Sequence, residues 1–310
     1  MARRKWRKLA ILAKAETTYG TDAVPTGAAN AIQALDVTLT PLEGQEVSRD
    51  LLKPYLGHQG VMLVGLHAAL EFSVELAGAG VAGNVPGYGP LLRACGLSET
   101  VTAGTSVVYA PVSSGEEANS IYFNLDGVRH VLLGARGNVS WELAPLAIPR
   151  FRFRLLGLLG TITDVALPAA TYTGFAKPIA VSKAGTTMTL HGHTCIAERL
   201  SLDLGNQVEP RFLIGSETIE IVDRQMTGST VLEANELATK DWFAIARSEA
   251  TGVLNAVHGN VAGNIVEMAC PAVQIGRPTY GETQRIVNNT VPLICKPTGA
   301  GNDELALTIR

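Results

Sequence analysis

His191, His193 and Cys195 come nearest, by residue type and spacing, to a metal site. On a strand, alternate residues project from one face, so these three would point together as the first ligands of a zinc ion do. The same face would carry Thr187 and Thr189, with Met188, Leu190 and Ile196 on the other. A wet strand face bearing two solvated histidines accounts for the same pattern, and is the reading adopted here. The run Gly78-Ala79-Gly80-Val81-Ala82-Gly83 satisfies the dinucleotide fingerprint in spelling only. That fingerprint needs its third glycine inside a helix N-terminus, and here Asn84, Pro86, Gly87 and Gly89 follow at once. It reads as a flexible turn. The remaining histidines, His58, His67, His130 and His258, stand apart from any serine or cysteine that they could activate. No hydrolase, Walker, zincin or EF-hand pattern is present. The sequence therefore points to no catalysis, no metal and no cofactor. Arg150, Arg152 and Arg154 alternate and could meet phosphate; pairing across a sheet with the Glu71 and Glu75 row is the preferred reading.

The elements that must carry these residues belong to a chain of 310 residues, 46% hydrophobic and 17% charged, with a formal net charge of −3. That composition buries a core and excludes disorder. No apolar run approaches the ~18 residues of a membrane helix. Cys95, Cys195, Cys270 and Cys295 are too few and scattered for a disulfide framework and read as buried small hydrophobes in a reducing compartment. Charge is uneven. Arg3, Arg4, Lys5, Arg7, Lys8 and Lys14 crowd the first fourteen residues with no acid among them, leaving a body with an acidic excess. The apolar piece 9–13 is shorter than the ~7–15 residues of a signal-peptide core. As a helix, this segment would put Trp6, Leu9, Ala10 and Ala13 on one face, giving a short basic amphipathic arm that docks on a partner.

Beyond the arm the pattern has period two. Leu70, Phe72, Val74 and Leu76 alternate with Glu71, Ser73 and Glu75, and Phe151, Phe153 and Leu155 with the three arginines. Leu35, Val37 and Leu39 do the same, as do Leu200, Leu202 and Leu204, and Ile219 and Ile221. Strands with one wet face and Gly/Pro/Thr/Ser punctuation make the class mainly β, with antiparallel sheets. Two helices are expected, at 90–95, with Pro90 at the first helical position, and at 235–248, capped by Asn235. The order of elements repeats. Gly44-Gln45-Glu46-Val47-Ser48-Arg49 matches Gly205-Asn206-Gln207-Val208-Glu209-Pro210-Arg211. A second landmark sets Gly137-Asn138-Val139-Ser140-Trp141 against Gly263-Asn264-Ile265-Val266-Glu267. This predicts two tandem β-sandwich or barrel domains, 31–165 and 174–310, each with one flanking short α-helix, after an N-terminal arm of 1–30. The first domain has a longer loop, 50–66, rich in Leu51, Leu52, Tyr55, Val61 and Met62 among glycines. So many apolar side chains on a long loop predict packing on another subunit rather than on solvent. Arg3, Arg4 and Trp6 of the arm join them as expected interface residues.

Three segments carry a resemblance. Ala15-Glu16-Thr17-Thr18-Tyr19-Gly20-Thr21-Asp22, Arg49-Asp50-Leu51-Leu52-Lys53-Pro54-Tyr55-Leu56-Gly57 and Gly89-Pro90-Leu91-Leu92-Arg93-Ala94-Cys95-Gly96 resemble tail tube (major tail) proteins of long-tailed, siphovirus-type bacteriophages. The resemblance implies a non-catalytic virion protein with two packed β-sheets and a flanking helix. Its rings stack into a hollow tail tube through which double-stranded DNA is ejected. It implies assembly in the host cytoplasm with tail-tip, tape-measure and terminator proteins, and residence in the virion tail. Duplicated members form homotrimers with pseudo-sixfold symmetry, and single-domain members form homohexamers. A mildly acidic body suits a bore that repels phosphate. The competing readings are another ring-forming component, such as a tail terminator or an injection-system inner tube, and a β-rich metal-binding protein.

Overall fold

The computed structural model describes residues 3–310. The first half contains β1 (Leu9–Ala15), α1 (Gly27–Asn30), β2 (Ala31–Ile32), β3 (Ala34–Ser48), β4 (Val61–Glu75), α2 (Gly89–Ala94), β5 (Leu97–Thr102), β6 (Ser106–Pro111), β7 (Asn119–Leu125), β8 (Val128–Leu143) and β9 (Arg150–Asp164). The second contains β10 (Thr186–Leu190), β11 (His193–Thr194), β12 (Ala197–Asp203), β13 (Asn206–Leu213), β14 (Ser216–Arg224), β15 (Thr227–Glu233), α3 (Trp242–Arg247), β16 (Thr251–His258), β17 (Val266–Ile275), β18 (Thr279–Thr283), β19 (Ile286–Cys295) and β20 (Ala306–Ile309). The protein is mainly β, and every strand pairing is antiparallel.

The period-two segments are the strands that build the core. Leu70, Phe72, Val74 and Leu76 are buried on β4 and its exit, as are Phe151, Phe153 and Leu155 on β9. Leu200 and Leu202 do the same on β12. Hydrogen bonding runs without a break in the order β3-β4-β9-β8-β12-β15-β19-β18. The link between halves is β8 with β12, where Trp141 faces Leu202 and Leu143 faces Leu200. A second layer follows the orders β2-β1-β7-β8 and β10-β16-β17-β20-β6-β5. Strand β8 belongs to both layers, bending where its register shifts between Leu133 and Arg136. The layers close on one continuous core that contains Trp141, Leu202, Met268 and Leu293. Burying a tryptophan there is worth about 3–5 kcal/mol against alanine, and the Trp141 indole N–H also donates to Met268 Sδ at 3.0 Å.

Four sequence expectations are corrected. The segment after Trp6 is no helix: residues 9–15 are β1, inserted between β2 and β7. Ala10, Ile11, Leu12 and Ala13 are buried in succession, so both faces of the strand are covered, and a short apolar run of that kind has no period to separate helix from strand. The second helix is shorter than expected. It begins after Asp241, whose side chain accepts from the Ala244 N–H at 2.8 Å, while Asn235 donates to His193 Nε2. The expected helix at 90–95 is α2. The second landmark also fails as a pair of strand starts: Gly137 lies inside β8, whereas Gly263 lies in the turn before β17. The glycine run 78–83 is a packed turn and not a free one. Gly80 N–H donates to Gly263 O at 2.9 Å, and Gly78 N–H to Asn264 Oδ1 at 2.8 Å.

That contact has no room for a side chain, since a Cβ on Gly78 would lie 2.1 Å from Gly263 O. Gly78→Ala is expected to lower stability by roughly 1–3 kcal/mol or more by overpacking. Gly299→Ala, where nothing lies within 4 Å, is expected to be near neutral, and urea melts of the two variants check the difference.

Candidate functional site

The pairing registers show where the two halves correspond. In the first, Glu75 faces Arg150, which faces Glu142. In the second, Glu233 faces Asn288, which faces Gly281. Glu75 and Glu233 are the last residues of β4 and β15 and are set as equivalent; the β18–β19 pairing runs two rows further, to Thr283 and Ile286. Counting from Glu75 and Glu233 sets Trp141 against Tyr280, Ala69 against Thr227 and Leu156 against Ile294. The strand order β3-β4-β9-β8 therefore recurs as β12-β15-β19-β18, with β13 and β14 corresponding to the outer part of the β3–β4 hairpin.

One face of this sheet carries Phe151, Trp141 and Leu202 into the core, and the other is polar. Asp36, Ser73, Ser140, Glu142, Arg150, Arg152 and Asp203 line a groove of about 940 Å³ on that polar face. Two arginines of this face are matched by carboxylates: Arg154 Nε lies 3.2 Å from Glu71 Oε1, and Arg150 Nη1 lies 3.0 Å from Asp36 Oδ2, while Arg152 stands opposite Ser73 and Ser140. The expected pairing across the sheet is thus found for Glu71, whereas Arg150 takes Asp36 in place of Glu75. Positions 150, 152 and 154 correspond to Asn288, Thr290 and Pro292, so the arginine row belongs to the first half alone.

Both ends of the sheet are open. Among the described residues β3 pairs only with β4, and β18 only with β19. The stretches 34–40 and 279–283 hold no lysine or proline, the residues that commonly blunt an edge strand, though on β3 Pro41 follows at once and the register shifts between Leu35 and Thr38. Tyr280 on β18 is 67% exposed, with the tilted Phe243 ring 5.1 Å away, while its counterpart Trp141 is 3% exposed beneath the β8–β12 junction.

The two hairpin arms differ in the same way. The β13–β14 arm folds back over the first half, where Ile219 is buried on Ala69 and Leu156. Phe212 lies against Gly65 and His67. Arg136 Nη1 donates to Ile219 O at 3.0 Å and pairs with Glu220. Tyr19 accepts from the Ile219 N–H at 2.6 Å, with the Arg136 guanidinium over its ring. Burial raises the Tyr19 phenol above its usual range. Glu16 of the same motif accepts from Gly20 N–H, Ser120 Oγ and Gly134 N–H. The segment around Tyr19 is thus a brace that holds the arm of the other half, a role that sequence patterning did not show. The β3–β4 arm has no such cover. Leu51, Leu52, Tyr55, Leu56, Val61, Met62, Leu63 and Val64 are all exposed along it.

The remaining expected interface residues sit elsewhere. Arg4 donates to Leu125 O and Asp126 O at the β7–β8 turn, Arg3 is exposed, and Trp6 is 62% exposed. The histidine–cysteine cluster is not one strand face, because a turn at His191 and Gly192 divides β10 from β11. His191 Nε2–H donates to Val273 O at 2.8 Å, and the Cys195 thiol is pushed up to about 11 by burial. Among the described residues no three His, Cys, Asp or Glu side chains gather to hold a metal ion. Nor is any helix there long and apolar enough to cross a membrane.

The protein is thus two-layered and mainly β, with unpaired strands at both ends of one sheet and an exposed apolar arm. A family model described as phage tail tube protein matches residues 6–292, and the chain belongs to that family. It is a structural protein of the virion tail. No curated protein matches the sequence.

The brace makes a local prediction. Tyr19→Phe removes the acceptor of a half-buried N–H and is expected to cost ~1–3 kcal/mol. The loss should appear as faster amide exchange over 206–224, with exchange in β7 and β8 little changed.

Proposed function

We propose that three copies of the chain close edge to edge into a ring, and that rings stack into a tube whose bore passes the phage DNA. The observation that carries the reading is the pair of free, matched edges. Inside the chain, β8 is completed by β12; β18 and β3 are left with the same need and corresponding sequences of positions. Carrying the internal register across would set Tyr280 of one copy opposite Leu39 of the next, Gly281 opposite Thr38 and Thr279 opposite Thr40. The contact is head to tail, the kind that makes rings when its rotation closes. One chain could not enclose a bore alone, because a barrel of ~8 strands is filled by its own side chains, whereas ~16–18 already leave an aqueous channel.

In this reading the chain is two tandem tail-tube units, 31–165 and 174–310, and the ring has pseudo-sixfold symmetry. The polar face becomes the wall of the bore. Arg150 and Arg154 are already paired with Asp36 and Glu71, which leaves Arg152 as the one cation of the row to release counterions from DNA and limits its hold on the duplex. The duplex slides. The arm patch around Leu51, Leu52 and Tyr55, and the patch of Arg3, Arg4 and Trp6, serve contacts between copies and between rings.

Electron microscopy of the purified protein is expected to show stacked hollow rings with threefold symmetry; dispersed monomers at high concentration would overturn the ring. Tyr280→Asp puts a charge in the closing edge and is expected to leave a folded monomer by circular dichroism and sedimentation. Rings formed unchanged by that variant would rule out this edge. Trp6→Ala is expected to leave single rings intact while reducing stack length, seen in the same images.

A further inference from the structure

The uncovered β3–β4 arm has a partner defined by the chain itself. In the first half, the row Thr40-Ala69-Leu156-Arg136 runs across four strands of the sheet. The row Asp203-Thr227-Ile294-Gln274 occupies the same place in the second. The first row is covered: Leu156 is 8% exposed because Ile219 of the β13–β14 arm sits on it. The second row has no arm above it, and Ile294 is 42% exposed. The arm that corresponds to β13–β14 is 43–66, whose strand β4 begins with exposed Val61, Met62, Leu63 and Val64. An uncovered apolar site and an uncovered apolar arm thus stand in the relation that the molecule has already realised once internally.

We propose that the β3–β4 arm of each copy folds across the β15–β19–β17 face of the neighbouring copy in the same ring, covering Ile294 with the 61–64 strip. The partner is a second copy of this chain, and the inference rests on the edge-to-edge ring proposed above. The direction follows from continuity. Arm β13–β14 extends from β12 and β15, and β12 pairs with β8, so the arm falls on the half to which its root strand is joined. Arm 43–66 extends from β3 and β4. When β3 pairs with β18 of the neighbour, the arm falls on that neighbour's second half.

The contact differs chemically from its internal model. Arg136, Glu220 and Tyr19 pin the inner arm with polar contacts. The position of Arg136 is Gln274 in the second half, and the corresponding arm strip is wholly apolar. The contact between copies is therefore the more greasy and less directional one, suited to forming after the edge has set the register. It assigns the root of the arm to sideways contact within a ring, leaving the loop tip around Leu52 and Leu56 free for the next ring.

Disulfide trapping tests the proposal. The double variants Val61→Cys/Ile294→Cys and Leu63→Cys/Ile294→Cys change only exposed side chains. The pair Leu39→Cys/Tyr280→Cys reports the edge. After mild oxidation of assembled protein, at least one arm pair is expected to give an intermolecular ladder on non-reducing gels that ends at the ring's copy number. Single-cysteine variants should give none. An edge ladder without either arm ladder would overturn the arm contact and leave the ring standing. Absence of all ladders would overturn both.

Discussion

The architecture depends on a simple demand: a β-strand's outward N–H and C=O groups must find partners. Strand β8 finds them on β12, and that junction turns two half-sheets into one and brings Trp141, Leu202 and Met268 into a single core. Side-chain packing then reinforces what main-chain pairing has already aligned. The glycine turn at Gly78 and Gly80, in main-chain contact with Gly263 and Asn264, fastens the halves a second time on the helix side. The β6–β20 pair does so a third time. The halves are hydrogen-bonded to each other as strands are within a sheet, which explains why one hydrophobic core runs through both.

Much of this was legible in the sequence, and the parts that were not have physical reasons. Alternation announced β4, β9 and β12 because each has one wet face. It failed for β1, which is buried on both. Asn235 looked like a helix cap because Asn and Asp share that chemistry, but the cap belongs to Asp241 and the Asn235 amide was needed at His193. The first repeated landmark, Gly44 and Gly205, falls at the root of an arm in each half. The second, Gly137 against Gly263, matched spelling without position, since one glycine relieves crowding inside a strand and the other makes a turn. The exposed apolar residues of the arm were readable as a surplus. The site that lacks cover was not, because Ile294 looks like any strand isoleucine until its counterpart Leu156 is seen under Ile219.

The charged rows carry a related lesson. Arg150, Arg152 and Arg154 suggest a phosphate site by spacing alone, and the carboxylates of Asp36 and Glu71 beside the first and last alter that meaning. Exposed pairs of this sort contribute little to stability, ~0–1 kcal/mol each; their effect is on what the face presents to a polyanion. His191 and Cys195 show the same dependence on surroundings. The backbone turn that separates them, and the carbonyl that occupies the His191 ring, remove the geometry that their spacing advertised.

In the ring proposed above, joining two units through β8 and β12 also changes the arithmetic of assembly. For an edge-closed ring, every second junction is formed when the chain folds, at an effective concentration that free units could match only at ~mM levels. Nucleation then requires fewer bodies to meet, and its rate follows a lower power of protein concentration. The fusion has a second effect, because the two units are no longer obliged to be alike. One can keep its arm for itself and the other can offer its arm outward, so that the polymer acquires a built-in sense of direction from a single gene product.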